Sequence, residues 1–255
     1  MKRRQLIRYS GMSLLTILGA IATKSSPAQA SGKSVTIEYL GHTCFLFSSN
    51  GFKVLVNPFS PLGCTAEYKE PNVEADLVLI SSFLLDEGSV ENLSGNPKIF
   101  TEPGDYKVSE IKFQGISSPH DREGGRRFGK NIAWLWNQGG IKILHLGGAV
   151  APISLEEKIL IGNPDVLFIP VGGGAKAYDP AEATKAVKAI NPKVIIPTHY
   201  LTSAADKESC DLAAVDEFLA LNQDKEIKKL NVNRIAIKPS DLPKDKKVVR
   251  VLKFS

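Results

Sequence analysis

The residues best suited to chemistry begin where an apolar run, Leu77-Val78-Leu79-Ile80, gives way to Ser81-Ser82-Phe83-Leu84-Leu85-Asp86-Glu87. Two carboxylates and an imidazole can hold one Zn, Mn or Fe ion and leave a position open for water. Adjacent carboxylates can equally cap a following helix or face solvent. The imidazoles are few: His42, His120, His145 and His199. A neutral histidine hydrogen-bonded inside a polar cleft is the alternative reading for each. Ser81 or Ser82 would need a base to act as a nucleophile, with His120 and His199 as candidates, and no G-x-S-x-G elbow surrounds either serine. Gly172-Gly173-Gly174 lacks the Lys-Ser/Thr of a phosphate loop and reads as a strand-end turn. Cys44, Cys64 and Cys210 make no C-x-x-C pair, which argues against a zinc knuckle. Cys44 lies in the apolar run Cys44-Phe45-Leu46-Phe47 and reads as a small core hydrophobe. The sequence does not decide whether Cys64 and Cys210 pair.

Short β-branched runs bounded by Gly, Asn or Pro supply the strands that must position these groups. They are Val35–Leu40, Cys44–Phe47, Val54–Val56, Leu77–Ile80, Ile132–Trp136, Ile141–Leu144, Val166–Val171, Val194–Ile196, Arg234–Ile237 and Val248–Leu252. Asn50-Gly51 and Gly139-Gly140 read as hairpin turns. Trp134 and Trp136 alternate along a strand and are expected in the core. Helices come in the second half. Ser154-Leu155-Glu156-Glu157 opens one with a capping-box pattern, and Asp179-Pro180-Ala181-Glu182 opens another that stops at Asn191-Pro192. A third is expected at about Leu212–Leu221. Hairpins first, then helices alternating with strands, predict an α/β class with two packed sheets and helices outside.

The chain has 255 residues, 43% of them hydrophobic, with no internal repeat or low-complexity segment. The net charge of +5 is concentrated at the start: residues 1–30 hold Lys2, Arg3, Arg4, Arg8 and Lys24 and no acid. Without those five the remainder is near neutral, so the basic balance gives no argument for nucleic-acid binding. Paired arginines, a short apolar run from Met12 to Thr23 and a small-x-small ending at Ala30 resemble a twin-arginine export signal. The expected organisation is therefore a leader over 1–30 and one domain over 31–255. The expected destination is a periplasm or a thylakoid lumen, with no stable membrane span in the mature chain.

Seven segments in register resemble metallo-β-lactamase-fold hydrolases, in the branch that includes the L-ascorbate-6-phosphate lactonases. They are Tyr39–Phe45, Val54–Phe59, Pro103–Val108, His120–Gly125 with Gly129–Asn131, Ile143–Gly148, Asp165–Gly174 and Pro192–Tyr200. The resemblance implies an αββα sandwich of two mixed sheets packed face to face. It also implies two metals sharing a hydroxide, held by histidines at a strand end, a loop histidine, a bridging aspartate and a late histidine. On these positions the chain offers Ser82 and Leu84 in place of imidazoles, Glu87 in place of another, and Gly148 in place of the bridging aspartate. Asn57 replaces a supporting aspartate, a change that elsewhere costs roughly 10–100-fold in metal affinity. His120 and His199 remain, and Asp86, Glu87 and His199 fall on the second metal's positions. His42 is expected to line the pocket and His145 to be structural.

These departures lead to the expectation of an exported protein whose dinuclear site has decayed. It would have no cofactor and would bind a protein or small molecule as a scaffold or assembly factor. The alternative is a mononuclear metal-dependent hydrolase of an ester, lactone or phosphoester. Asp86, Glu87, His199 and His120 would be its residual metal candidates, with His120 as a general acid or substrate-holding group.

Overall fold

Alternating burial along the first strands fixes one face of each to a shared interior. In β1 (Val35–Gly41), Val35, Ile37 and Tyr39 are buried while their neighbours are half-buried. The structure, a computed structural model, describes residues 33–205, 208 and 210–254. The leader expected over 1–30 lies outside the described residues.

β1 pairs antiparallel with β2 (Cys44–Ser49), and Asn50-Gly51 turns β2 into β3 (Phe52–Val56) as anticipated. β4 (Leu77–Leu79) and β5 (Lys98–Phe100) continue this sheet in parallel. The second sheet begins with β6 (Gly104–Val108), β7 (Ile111–Pro119), β8 (Lys130–Gln138) and β9 (Ile141–His145), and Gly139-Gly140 makes the last of these hairpins. β10 (Val166–Pro170) and β11 (Val194–Thr198) join it in parallel and are buried throughout. β12 (Glu226–Lys229), β13 (Arg234–Ile237) and β14 (Val248–Val251) complete the strands of the described region. The strand order is β13-β1-β2-β3-β4-β5 in one sheet and β12-β14-β11-β10-β9-β8-β7-β6 in the other.

Between the sheets lies a core that includes Phe45, Phe47, Trp134, Trp136 and Phe168. Phe47 meets Trp136 edge-on with ring centroids 4.9 Å apart. The two indole N–H groups donate to the Ile80 carbonyl and to Gln138 Oε1. Both tryptophans are thus core residues with satisfied donors, as their spacing suggested.

On the other face of the second sheet, a further apolar cluster packs α2 (Pro180–Ile190) and α3 (Val215–Ala220). α1 (Leu155–Ile161) and α2 both start with complete capping boxes, at Ser154 and Asp179. Asn191 ends α2 in the left-handed conformation. α3 is shorter than the stretch expected. A Cys64–Cys210 disulfide settles the open pairing, and Cys44 is buried and free. No helix among the described residues is long and apolar enough to cross a membrane.

Candidate functional site

The chemistry-bearing residues gather in the segments that leave the strands. His42 sits in the β1–β2 turn, residues 81–87 follow β4, and His120 follows β7. Gly148 lies beyond β9, Lys176 between β10 and α2, and His199 directly after β11.

The 81–89 loop is built from backbone bonds. Ser81 N–H donates to Asn57 Oδ1 at 2.9 Å, Ser60 N–H to the Leu85 carbonyl, and Ser89 N–H to the Pro58 carbonyl. An amide at position 57 therefore holds the start of this loop. No helix follows, so Asp86 and Glu87 cap nothing. The side chain of Glu87 is fully buried and that of Asp86 is 18% exposed, so a solvated carboxylate pair is also excluded.

The four candidates from the sequence divide into two pairs. Glu87 Oε1 stands 3.0 Å from His120 Nε2, and Ser82 Oγ donates to the same oxygen at 2.7 Å. Burial alone would raise the Glu87 carboxyl. The His120 charge and contact, helped by Ser82, outweigh burial and hold it below its ordinary range. This pair fills the space beside Gly148, where a Cβ would lie 2.3 Å from His120 Nε2 and 2.9 Å from Glu87 Oε1. No bridging aspartate could stand there without displacing both. His120 itself has no exposed surface, so the expected substrate-holding or acid role has no access in this arrangement.

Asp86 and His199 belong to the second group, together with His42 and Lys176. His42 Nε2 is 3.6 Å from Asp86 Oδ2, an ion-pair distance that is too long for a hydrogen bond. The His42 and His199 rings lie against each other, with centroids 4.0 Å apart. His199 N–H donates to the His42 carbonyl, tying the two segments together. Both histidines have positive φ, 53° and 51°, a backbone cost often found at functional sites. Neither His42 nitrogen has a hydrogen-bond partner, and His199 Nδ1 has none either. Burial, joined by His42, pushes His199 well below its ordinary value, so its imidazole is neutral. Burial would raise Asp86, yet His42 and Lys176 outweigh it and hold the carboxyl far below the usual carboxylate range. Lys176 Nζ donates to Asp86 Oδ2.

These groups open on a cleft of about 510 Å³ whose wall includes Leu62, Leu84, Leu85, Phe128 and Leu212, and which also holds Arg127 and Asp211. A larger groove of about 620 Å³ runs past Tyr106, Gln114, Trp136 and Lys142. It contains no histidine and no buried carboxylate, so the smaller cleft is where the chemistry lies. His145 is structural, as expected: its ring bonds the Thr43 carbonyl at 3.1 Å and accepts from Gly147 N–H. Burial lowers it to about 4.

Among the described residues, no group of three or more His, Cys, Asp or Glu is placed so that it could hold a metal ion. His42 and His199 bring partnerless nitrogens beside the ionised carboxylate of Asp86, but as placed the three do not form a metal site. A dinuclear pair does not fit, because Glu87 and His120 occupy the space a bridging ligand would need.

Sequence reasoning underrated His42 and missed Lys176. The first depends on a positive φ and a ring contact across sheets. The second sits in a loop that the sequence showed only as following a glycine turn.

Residues 36–199 match a family model described as the beta-lactamase superfamily domain. A UPF0173 metal-dependent hydrolase of Thermococcus onnurineus is 27% identical over 68% of this chain and 89% of its own length. A second protein of that name, from Carboxydothermus hydrogenoformans, is 26% identical over 65% and 84%. A crystal structure from Thermotoga maritima, of a candidate Zn-dependent hydrolase of the metallo-β-lactamase superfamily, superposes with a TM-score of 0.68 at 31% identity. The match covers 86% of this chain and 98% of that one. These relatives overturn the expectation of a non-catalytic scaffold or assembly factor without a cofactor, since they are named as hydrolases that depend on metal. That expectation treated the loss of a dinuclear ligand set as the loss of every ligand set. The β1–β2 turn, the 81–87 loop and the end of β11 still bring imidazoles and a carboxylate together, and the chain belongs to the beta-lactamase superfamily domain family with the metallo-β-lactamase fold.

Proposed function

We propose that this protein is a metal-dependent hydrolase that uses one divalent cation to open an ester or lactone in the His42–Asp86–His199 cleft. One observation carries the reading: two buried imidazoles with partnerless nitrogens lie beside an ionised carboxylate at the wall of a cleft. Buried polar atoms in native proteins almost always have partners, so orphans gathered at one spot point to a missing one. The names of the relatives support the dependence on metal.

To hold an ion, His42, Asp86 and His199 would have to draw together from their places in this structure. A Zn, Mn or Fe ion so placed supplies Lewis acidity, bringing the ionisation of water toward neutral pH and polarising the bond to be cleaved. The chain's own residues do the positioning. His199 stays neutral and keeps a lone pair available, because burial disfavours its protonation. Asp86 remains ionised for the reasons above. The apolar wall of Leu62, Leu84, Leu85, Phe128 and Leu212 excludes water and suits an apolar group on the substrate. Arg127 and Lys176 are matched in the same cleft by Asp86 and Asp211, so no surplus positive charge awaits a phosphate. This balance favours an ester or lactone over a phosphoester. Kinship with the L-ascorbate-6-phosphate lactonases is part of the proposal and is supported by the motifs at Tyr39–Phe45 and Pro103–Val108. Ser82 and Leu84, standing where that branch has imidazoles, support one ion rather than two.

The test is hydrolysis of chromogenic esters and lactones of graded acyl length by the protein loaded with Zn or Mn, beside a phosphodiester control. Turnover should rise with acyl length and be lost in His199→Ala. Turnover that is indifferent to that substitution, or confined to the phosphodiester, would refute the reading.

The exported location is likewise proposed. A Cys64–Cys210 bridge supports it, because disulfides persist in oxidising compartments. Intact chain recovered from the cytosol with residue 1 still attached and both thiols free would count against it.

A further inference from the structure

We infer that the Cys64–Cys210 disulfide is a redox-operated clasp on the cleft wall: oxidised, it pins residues 210–212, and reduced by a dithiol, it lets them move away. The inference needs no metal ion. The bridge joins two stretches that both line the cleft, Leu62, Gly63 and Cys64 on one side and Asp211 and Leu212 on the other. Both cysteines are half-buried rather than sealed in the core, so a small thiol can reach the bridge. The reductant's thiolate attacks one sulfur and forms a mixed disulfide, and the other sulfur leaves as a thiolate that takes a proton. The reductant's second thiol then resolves the mixed disulfide. The protein gains two electrons and two protons, and the dithiol departs as its own disulfide.

The two sides of the bridge are held differently. Cys64 sits in a short 3-10 turn, Gly63–Thr65, braced by the Thr65 hydroxyl, which donates to the Leu62 carbonyl at 2.9 Å and accepts from Leu62 N–H at 3.1 Å. Past Leu212 the chain is anchored at Ala213, whose N–H donates to the Gly172 carbonyl at 2.7 Å and whose carbonyl accepts from Leu201 N–H at 2.9 Å. Residues 210–212 therefore run between that anchor and the disulfide. Opening the bridge frees one end and leaves the other fixed, so the movement stops at Ala213. A neighbouring tie survives reduction: the Tyr68 and Thr202 hydroxyls bond at 2.5 Å, and Ala205 packs into the same apolar cluster as Tyr68. The freed segment also covers the glycine turn that leads to Lys176. A Cβ placed on Gly174 would lie 3.4 Å from Asp211 Oδ2 and 3.5 Å from Leu212 Cδ2. Two residues on, Lys176 donates to Asp86 Oδ2. Reduction would thus take a carboxylate and an apolar wall residue from the cleft and uncover this turn.

Amide hydrogen exchange of the full mature chain, read by mass spectrometry before and after dithiothreitol, tests the inference. Circular dichroism checks folding, and alkylation counts free thiols. A Cys64→Ser, Cys210→Ser double variant serves as a clasp that cannot close. Reduction without denaturant should free both thiols and leave the dichroism unchanged. Exchange should quicken about tenfold or more in peptides covering 61–66, 210–213 and 173–177, while β10 and β11 keep their rates. The double variant should match the reduced protein and ignore the reductant. A bridge that stays closed in dithiothreitol, exchange that quickens throughout the chain, or unchanged rates at 173–177 would each overturn the inference, as would a double variant that matches the oxidised protein.

Discussion

Glu87 and His120 make a buried pair, with Glu87 Oε1 3.0 Å from His120 Nε2. Each has no exposed surface, and together they fill the space beside Gly148. Breaking such a pair leaves a charge unsolvated, at a cost of roughly 3–5 kcal/mol, whereas replacing both members with apolar groups is far milder. His120→Leu should therefore destabilise the protein by about that amount in urea unfolding, and Glu87→Leu with His120→Leu should recover much of the loss. A single-variant cost below about 1 kcal/mol would mean that the carboxyl is protonated in the folded protein. At this scale the sequence was legible in part. It marked Asp86, Glu87, His120 and His199 as the groups to watch; Asp86 and His199 line the cleft, while Glu87 and His120 pair with each other fully buried. It could not show that Glu87 turns inward to His120 while Asp86 turns toward His42. Neighbours in a loop can point to opposite sides with no trace in composition.

Loops rather than strands position the site, and one loop has an organiser that the sequence did not advertise. Asp121 accepts four backbone N–H groups, from Glu123 and Gly125 on Oδ1 and from Arg127 and Phe128 on Oδ2. Burial opposes ionisation there, but the four donors hold the carboxyl down at about 2. The loop they shape carries Arg127 and Phe128 to the cleft, with the guanidinium 4.7 Å from the ring. Asp121→Ala should leave the sheets folded yet speed amide exchange at 123–128, and Asp121→Asn, keeping one acceptor oxygen, should fall between. Uniform exchange rates across the three proteins would show that the loop is held by other means. Strands with β-branched runs were readable because burial on one or both faces demands them. β6 and β7 were not, because their turn uses Ser109 and Glu110, both with positive φ, where a hairpin of that kind usually shows Asn or Gly. β12 escaped too: Glu226-Ile227-Lys228-Lys229 is a charged edge strand, and charge is how edges avoid further pairing.

The described region is two sheets packed on a shared core, and its stability should depend on pH through buried titratable groups. The Cys64–Cys210 bridge spans 146 residues of sequence, so reducing it should cost up to about 5 kcal/mol if loop entropy in the unfolded chain dominates. An unfolding midpoint unchanged by a strong reductant, with both thiols shown free, would rule out that contribution. Acid should act through His145. Its ordinary value is 6.5, and in the folded protein burial lowers it to about 4. Between those two values the unfolded chain takes up a proton that the folded chain refuses, so unfolding gains as pH falls. The stabilisation is complete above about pH 6.5, declines through the window and is spent near pH 4, a loss of about 3 kcal/mol for this residue. His199, also lowered by burial, acts with the same sign, and the ionised Asp121 extends the decline below the window. Urea midpoints at pH 7.5, 5.5 and 4.5 should fall steadily, and His145→Gln should flatten the upper part of that slope. A midpoint level from pH 7.5 to 4.5 would mean that His145 is protonated inside the fold. In that case its Nδ1 would carry a hydrogen and could no longer accept from Gly147 N–H, and the turn leading to Gly148 would have to be rebuilt.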